Sequence, residues 1–387
     1  MTERLYENDS YTVSFDAEAK SVQNGDGVCF VTLDRTFFFP VEGGQSCDRG
    51  TINGYPVTDV QIRGGEIIHT VAGQLSEGAK VHGEVDWEYR FRNMQMHSGE
   101  HVFSGLVFRH FGYSNVGFHL SENSATMDYN GKLSADDVRM LEEQANRIIT
   151  EGHAIRAWVP SKEELAGLTY RSKKEIDGDV RLVEIEGVDL CACCVPHVRS
   201  TSEIGFLKIV SLENYKGGVR LSYRCGLRAL EHYRECLALL GTTGRLLSAK
   251  QEDIPAALTK VLEDGRQFSF RLLEAERKLV SGQIRSRFGE DARDAKPLFF
   301  LTADPGILRF AMDEAETYYT GICVVMAAQG EGRFRYLMEG DESVAALQKE
   351  LKERFGAKGG GASGSVSGSV SASGEALREF FAEHGIQ

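Results

Sequence analysis

The sequence predicts an α+β fold in several parts, on three observations: a strand-rich start, a long helical stretch after residue 237, and continuous apolar strands near the end. Residues 1–90 contain runs such as Gly27-Val28-Cys29-Phe30-Val31-Thr32-Leu33 and Glu66-Ile67-Ile68-His69-Thr70-Val71. These are rich in β-branched and aromatic residues and are separated by Gly, Asn and Asp turn signals. From 91 to 236 the pattern is mixed. Arg92–Phe111 and Ala135–Glu151 read as helices, the second amphipathic and capped by Ser134. Val180–Ile185, Gly205–Val210 and Val219–Tyr223 read as strands, and a helix begins near Leu227. Residues 237–288 read as helical throughout. Leu258, Val261, Gly265, Phe268, Leu272, Ala275 and Leu279 follow a three-four spacing, which suggests a short coiled hairpin or a spacer. In the last part, Leu298-Phe299-Phe300-Leu301 and Ile322-Cys323-Val324-Val325-Met326 read as buried strands. The Gly/Ser-rich stretch 356–370 reads as a flexible linker or a glycine-rich loop, followed by a helix over Glu375–His384.

Bulk properties exclude several functions. A net charge of −13 over 387 residues argues against broad, non-specific nucleic-acid binding but leaves room for one local basic groove. The first residues, Met1-Thr2-Glu3-Arg4-Leu5-Tyr6, have no apolar signal core, and no apolar run is long enough to span a bilayer, so no membrane is expected. The eight cysteines then fall in a reducing cytoplasm, where a disulfide framework is not expected.

His97 and His101 stand four residues apart, and Cys193 and His197 repeat that step. On a helix the step puts both side chains of a pair on one face. Three imidazoles and a thiolate make a zinc set, although Cys191 and Cys194 could each replace Cys193. Four protein ligands describe a closed site, so a catalytic role requires a loose ligand or a metal that only positions. His97-Ser98-Gly99-Glu100-His101 also spells the signature of inverted zinc proteases, with Glu100 as base and Glu175 as a further ligand. That reading leaves Cys193 and His197 unexplained. A second constellation is Phe38-Phe39-Pro40-Val41-Glu42-Gly43-Gly44-Gln45 with Asp48 and Gly50. Its glycines let backbone approach a ligand, and Gln45 offers both a donor and an acceptor.

In their order along the chain, these motifs resemble the AlaX family, free-standing relatives of the alanyl-tRNA synthetase editing domain. The resemblance rests on Phe38–Gln45 with Asp48 and Gly50, on His97 with His101, on Cys193 with His197, and on Gly226-Leu227-Arg228-Ala229-Leu230. The C-terminal part, marked by Gly356-Ala357-Lys358-Gly359-Gly360-Gly361, resembles the DHH-associated domain of the long forms. The resemblance implies a small β-barrel-like domain (1–90), a zinc-bearing editing domain (91–236), a helical spacer (237–290) and a DHH-associated-like domain (291–387). It also implies hydrolysis of Ser-tRNA(Ala) or Gly-tRNA(Ala), with Zn²⁺ on His97, His101, Cys193 and His197, and with Gly43, Gly44 and Gln45 lining the substrate pocket. The spacer or the last domain could pair two chains as a homodimer.

The chain departs from the family pattern at Val41 and Glu42, at Cys194-Val195-Pro196 and at Ala362. The first two changes touch the expected amino-acid pocket and leave the choice between serine and glycine open. The competing expectations are the zinc protease and a non-catalytic tRNA-binding protein with a structural zinc.

Overall fold

The alternation in the first ninety residues closes on itself. In the computed structural model, six strands form a closed barrel in the order β2-β3-β7-β6-β5-β8. The description covers residues 1–122, 124–172, 178–288, 298–302, 305–318, 321–330, 332–362 and 364–386. The chain divides into two units, Met1–Thr242 and Thr243–Gln387.

Unit one opens with β1 (Glu3–Arg4), which pairs in parallel with β4 (Arg35–Thr36) outside the barrel. The barrel strands are β2 (Ser14–Asn24), β3 (Cys29–Leu33), β5 (Gly50–Ile52), β6 (Tyr55–Arg63), β7 (Glu66–Val71) and β8 (Lys80–Val85). Side chains alternate along them, as in β8, where Val81 and Val85 are buried between exposed neighbours. Phe15, Val31, Leu33, Val60, Ile67 and Val81 fill the interior. One polar residue shares it. His69 is fully buried, with Nδ1 3.2 Å from the Val31 carbonyl and Nε2 2.9 Å from Thr36 Oγ1. Burial pushes its pKa down to about 4.

Helix α1 (Trp87–Phe111) follows directly. It starts five residues before the expected Arg92, because the Asp86 carboxylate caps it by accepting from the Tyr89 amide at 3.0 Å. Every residue from Asn93 to Val107 is buried, including His97, Ser98, Glu100, His101 and Ser104. A buried helix with that many polar side chains must satisfy them internally. The next elements are β9 (Asn115–Leu120), β10 (Ala125–Tyr129), α2 (Ala135–Glu151), β11 (Ile155–Trp158), α3 (Lys162–Ala166), β12 (Leu182–Ile185), β13 (Asp189–Ala192), β14 (Leu207–Tyr215) and β15 (Gly218–Cys225). Ser134 and Asp137 form a reciprocal capping box at the start of α2, whose range matches the expected one. Strands β14-β15-β10-β9 form one antiparallel sheet and β11-β12-β13 a second. Val138, Leu141, Ala145 and Ile149 of α2 share a core with Leu207, Leu221 and Val107.

The stretch after residue 237, expected to be helical throughout as a hairpin or spacer, holds two helices, α4 (Gly226–Leu247) and α5 (Ile254–Phe288). The break falls at Ser248, which takes φ +51°, and Pro255 then sits inside the first turn of α5, where its missing N–H costs no hydrogen bond. Gly265, expected to weaken the seam, lies within unbroken helix.

In unit two, β16 (Leu298–Thr302), α6 (Leu308–Glu316), β17 (Cys323–Ala328), β18 (Arg333–Glu339), α7 (Ser343–Phe355), β19 (Lys358–Ala362), β20 (Ser365–Ser371) and α8 (Gly374–Glu383) build a five-stranded sheet ordered β16-β17-β18-β20-β19. Helices cover both faces. Val324 and Met326 pack with Leu347, Leu377 and Phe381, while Val325 and Ala327 pack with Ile284, Ala311 and Met312. This explains the continuous apolar run of β17. The Gly/Ser stretch is neither linker nor loop: β19 and β20 pair in register from Lys358 opposite Ser369 to Ala362 opposite Ser365. The expected boundary at 290–291 lies outside the described residues. Among the described residues, no helix is long and apolar enough to cross a membrane.

Candidate metal centre

The structure brings His97, His101, Cys193 and His197 together, with their donor atoms within 4.8 Å of one another. The two pairs arrive by different geometries. His97 and His101 stand one turn apart on α1 with ring centroids 5.4 Å apart. Cys193 and His197 are not on a helix; they lie in the irregular segment after β13, where Pro196 removes an amide donor. The His197 ring lies 5.1 Å from that of His97 and 4.6 Å from that of His101. Cys193 Sγ is 3.5 Å from His97 Nε2 and 3.4 Å from His197 Nε2. Zinc bonds of about 2.0–2.1 Å to nitrogen and about 2.3 Å to sulfur give a tetrahedral N···S edge of about 3.5 Å, which these two distances match.

Electrostatics single out the sulfur. Burial would raise the Cys193 thiol, but the charge of His97 and hydrogen bonds from His101, His197 and His97 outweigh it and hold the thiol well below its usual range. Burial pushes Cys191 up to about 12, and burial together with Cys193 and Glu42 pushes Cys194 up as well. Cys191 lies beside His101 and Asp189 and turns its thiol to the Ala192 carbonyl at 3.6 Å. Burial holds His197 down to about 3, whereas in His101 the Asp189 and Cys193 interactions outweigh burial and raise it to about 9.

Each imidazole is anchored through Nδ1. His97 donates to Gln45 Oε1 at 3.2 Å, His101 to Asp189 Oδ2 at 3.1 Å, and His197 to Ser98 Oγ at 3.1 Å. Arg171 grips the Asp189 carboxylate with Nε at 2.6 Å and Nη2 at 2.7 Å. With Nδ1 so held, a bound metal would take the Nε2 lone pairs in place of the Nε2···Sγ hydrogen bonds, the arrangement by which metal sites set the tautomer of their ligands. Sequence reasoning missed Ser98, Arg171 and Asp189. Ser98 had a signal, since it sits inside the His motif. Arg171 and Asp189 had none, because a β-bridge from Arg171 to Cys191 brings them together.

Gln45 reaches His97 because of the two glycines before it. Gly43 (φ +62°) and Gly44 (φ +80°) occupy the centre of a tight turn closed by the Gln45 amide donating to the Glu42 carbonyl at 3.0 Å. A Cβ on Gly44 would lie 2.3 Å from the Phe118 carbonyl oxygen. The turn is laced to β9: the Leu120 amide donates to Gly44 O at 2.8 Å and the Ser46 amide to Leu120 O at 3.0 Å. Gln45 itself is 1% exposed, and its Nε2 has no hydrogen-bond partner.

Asp48 is structural. Buried with Arg90, it accepts from Arg90 Nε at 2.9 Å and from the Phe39 amide at 2.6 Å, and it also pairs with Arg90 Nη2. Arg90 donates as well to the carbonyls of Phe37 and Ser10. The pair ties the Gln45 loop to the first turn of the helix that carries the histidines. Arg228 has a similar role, joining α4 to Asn93 Oδ1 and the Ser121 carbonyl, each at 2.8 Å.

For the protease reading, Glu100 has one oxygen 3.9 Å from His101 Nε2 and the other engaged within the core. It is fully buried, and its Oε1 accepts from Ser104 at 2.6 Å and from Asn115. Glu175 lies outside the described residues.

The family model for "Threonyl and Alanyl tRNA synthetase second additional domain" matches residues 180–221, which include Cys193 and His197. The model for "tRNA synthetases class II (A)" matches residues 7–89. The chain is 28% identical to the alanyl-tRNA editing protein AlaX-L of Pyrococcus horikoshii, over 93% of both chains. It is 29% identical to the alanine–tRNA ligase of Ignicoccus hospitalis over 93% of its own length but only 40% of the ligase, and 32% identical to that of Methanopyrus kandleri over 76% of its own length and 33% of the ligase. The chain therefore spans well under half of the ligases it matches. These matches support an aminoacyl-tRNA deacylase activity. The chain is similar over nearly its whole length to an alanyl-tRNA editing protein.

Proposed function

We propose that this protein is a cytoplasmic trans-editing hydrolase that removes serine or glycine from mischarged tRNA(Ala) by zinc-dependent ester hydrolysis. The observation that carries the reading is the cage of three Nδ1-anchored imidazoles around the Cys193 thiolate. Zinc on His97, His101, Cys193 and His197 would supply positive charge for the ester carbonyl as water attacks it. Gln45 Nε2, buried without a partner, is the chain's own donor for the oxygen on which negative charge develops. The exposed Gly43–Gly44 turn lines the approach to it. Purified protein incubated with Ser-, Gly- and Ala-tRNA(Ala) should shorten the lifetime of the first two esters and spare the third.

A four-ligand cage also suits a structural zinc, and unaltered lifetimes of all three esters would favour a non-catalytic tRNA-binding protein. For assembly we propose a homodimer through α5. Its seam residues Leu258, Val261, Phe268, Leu272 and Leu279 are all exposed. Two antiparallel copies would set Phe268 against Leu272, Gly265 against Ala275 and Asp264 against Lys278. Sedimentation should find a dimer in the native protein and a monomer after Phe268→Glu.

A further inference from the structure

Glu42 occupies the other end of the turn that carries Gln45. The two form an antiparallel bridge across Gly43–Gly44, so their side chains leave the turn on the same face, with Cβ atoms about 5 Å apart. Gln45 uses that face to reach His97. The Glu42 side chain is 32% exposed, yet its Oε2 is buried and has no hydrogen-bond donor. The Arg4 guanidinium stands 4.0 Å from Oε2, and its Nη1 donates instead to Glu7 at 3.3 Å. Tyr6, fully buried and close enough to feel the Glu42 charge, leaves its hydroxyl without a partner as well. The Cys194 thiol, next to the cage residue Cys193, also meets the Glu42 carboxylate. The turn therefore holds, side by side, an acceptor atom without a donor, Glu42 Oε2, and a donor atom without an acceptor, Gln45 Nε2.

Buried polar atoms left open at a functional site call for a ligand that completes them. A ligand that satisfies both atoms carries a cationic N–H group a few ångströms from a carbonyl oxygen. An aminoacyl ester has that pattern, because its α-ammonium nitrogen is bonded to the carbon next to the ester carbonyl. We propose that Glu42 is a specificity-determining residue that receives the α-ammonium group of the aminoacyl ester while Gln45 Nε2 takes the carbonyl. The proposal rests on the deacylase reading. It extends that reading to a requirement for a free α-amine: esters whose amine is acylated lose the charge and are rejected.

The test compares Ser-tRNA(Ala) with N-acetyl-Ser-tRNA(Ala), using wild type and Glu42→Gln with matched zinc content. Wild type should favour the free-amine ester in kcat/KM by about ten- to a hundredfold, the range of a hydrogen bond to a charged group. In Glu42→Gln the preference should fall toward one, through a higher KM for the free-amine ester, and Glu42→Gly should repeat the result. Equal wild-type rates on the two esters overturn the proposal without any variant. A preference that survives in Glu42→Gln, or a variant that loses both activities in proportion, overturns it too, because Glu42 then acts through sterics or stability. If wild type cleaves neither ester, the deacylase reading falls first and this proposal with it.

Discussion

Gln45 and His97, 52 residues apart, meet through a single hydrogen bond of 3.2 Å from imidazole Nδ1 to amide Oε1. The amide thus has two ends in different states: one orients a cage histidine and the other is buried without a hydrogen-bond partner. Gln45→Ala should lose both. Zinc affinity should fall about ten- to a hundredfold, as when an outer support of a metal ligand is removed. Single-turnover deacylation should fall about ten- to a hundredfold as well. Excess zinc should recover the first loss and leave most of the second. Wild-type rates in the variant would reject the assignment.

Metal content is a direct check on the cage. Elemental analysis should find one zinc per chain in the wild type and none in His101→Ala. Chelation should abolish deacylation, and added zinc should restore it. An apo protein that still cleaves its ester at full rate would refute the zinc chemistry.

The Arg90–Asp48 pair makes a prediction about stability. Both side chains are fully buried, and Arg90 also holds two backbone carbonyls. Removing one member leaves the other charge buried and unpaired, which costs about 3–5 kcal/mol. Arg90→Ala should lower the urea midpoint accordingly, whereas Arg92→Ala, whose pairs with Glu88 and Glu231 lie nearer the surface, should cost under about 1 kcal/mol.

His69 makes the barrel acid-sensitive. Its folded pKa of about 4 lies below the unfolded value near 6.5, so the unfolded chain binds more protons between them. Its contribution is complete above about pH 6.5 and is lost as pH falls toward about 4. Between pH 7.5 and 5 the loss is about 2 kcal/mol. The fall in urea stability over that range should be smaller by about this amount in His69→Gln. Parallel curves for the two proteins would contradict the assignment.

Every cage and turn residue lies before Thr242, where the first unit ends. A chain stopped there should keep its zinc and still cleave at saturating tRNA, with a higher half-saturation concentration if the second unit supplies tRNA contacts. Loss of zinc, or of turnover at saturation, would assign part of the active site to the second unit.

What the sequence could disclose was set by how local each cause is. Helix α2 was legible to the residue because Ser134, Asp137 and the apolar stripe of Val138, Leu141, Ala145 and Ile149 all act within one helix. The cage residues were legible as residue types, but the second pair shares no helix, so the geometric reason held only for His97 and His101. Asp189 was hidden because its value depends on Arg171 and His101, which reach it from other segments. The Gly/Ser tail misled for the opposite reason. Its composition is that of a linker, and only pairing of β20 with β18 makes it part of a sheet.

The cage also imposes an order of events on synthesis. Cys193 follows His97 by 96 residues. At about 5–20 residues per second, a ribosome needs roughly 5–20 s to add that stretch, and throughout it the helix histidines are exposed without their sulfur partner. A metal ion captured early has only two ligands and can leave again. Four-ligand retention would begin only after His197 is made, when the barrel strands, which end at Val85, have long been synthesised.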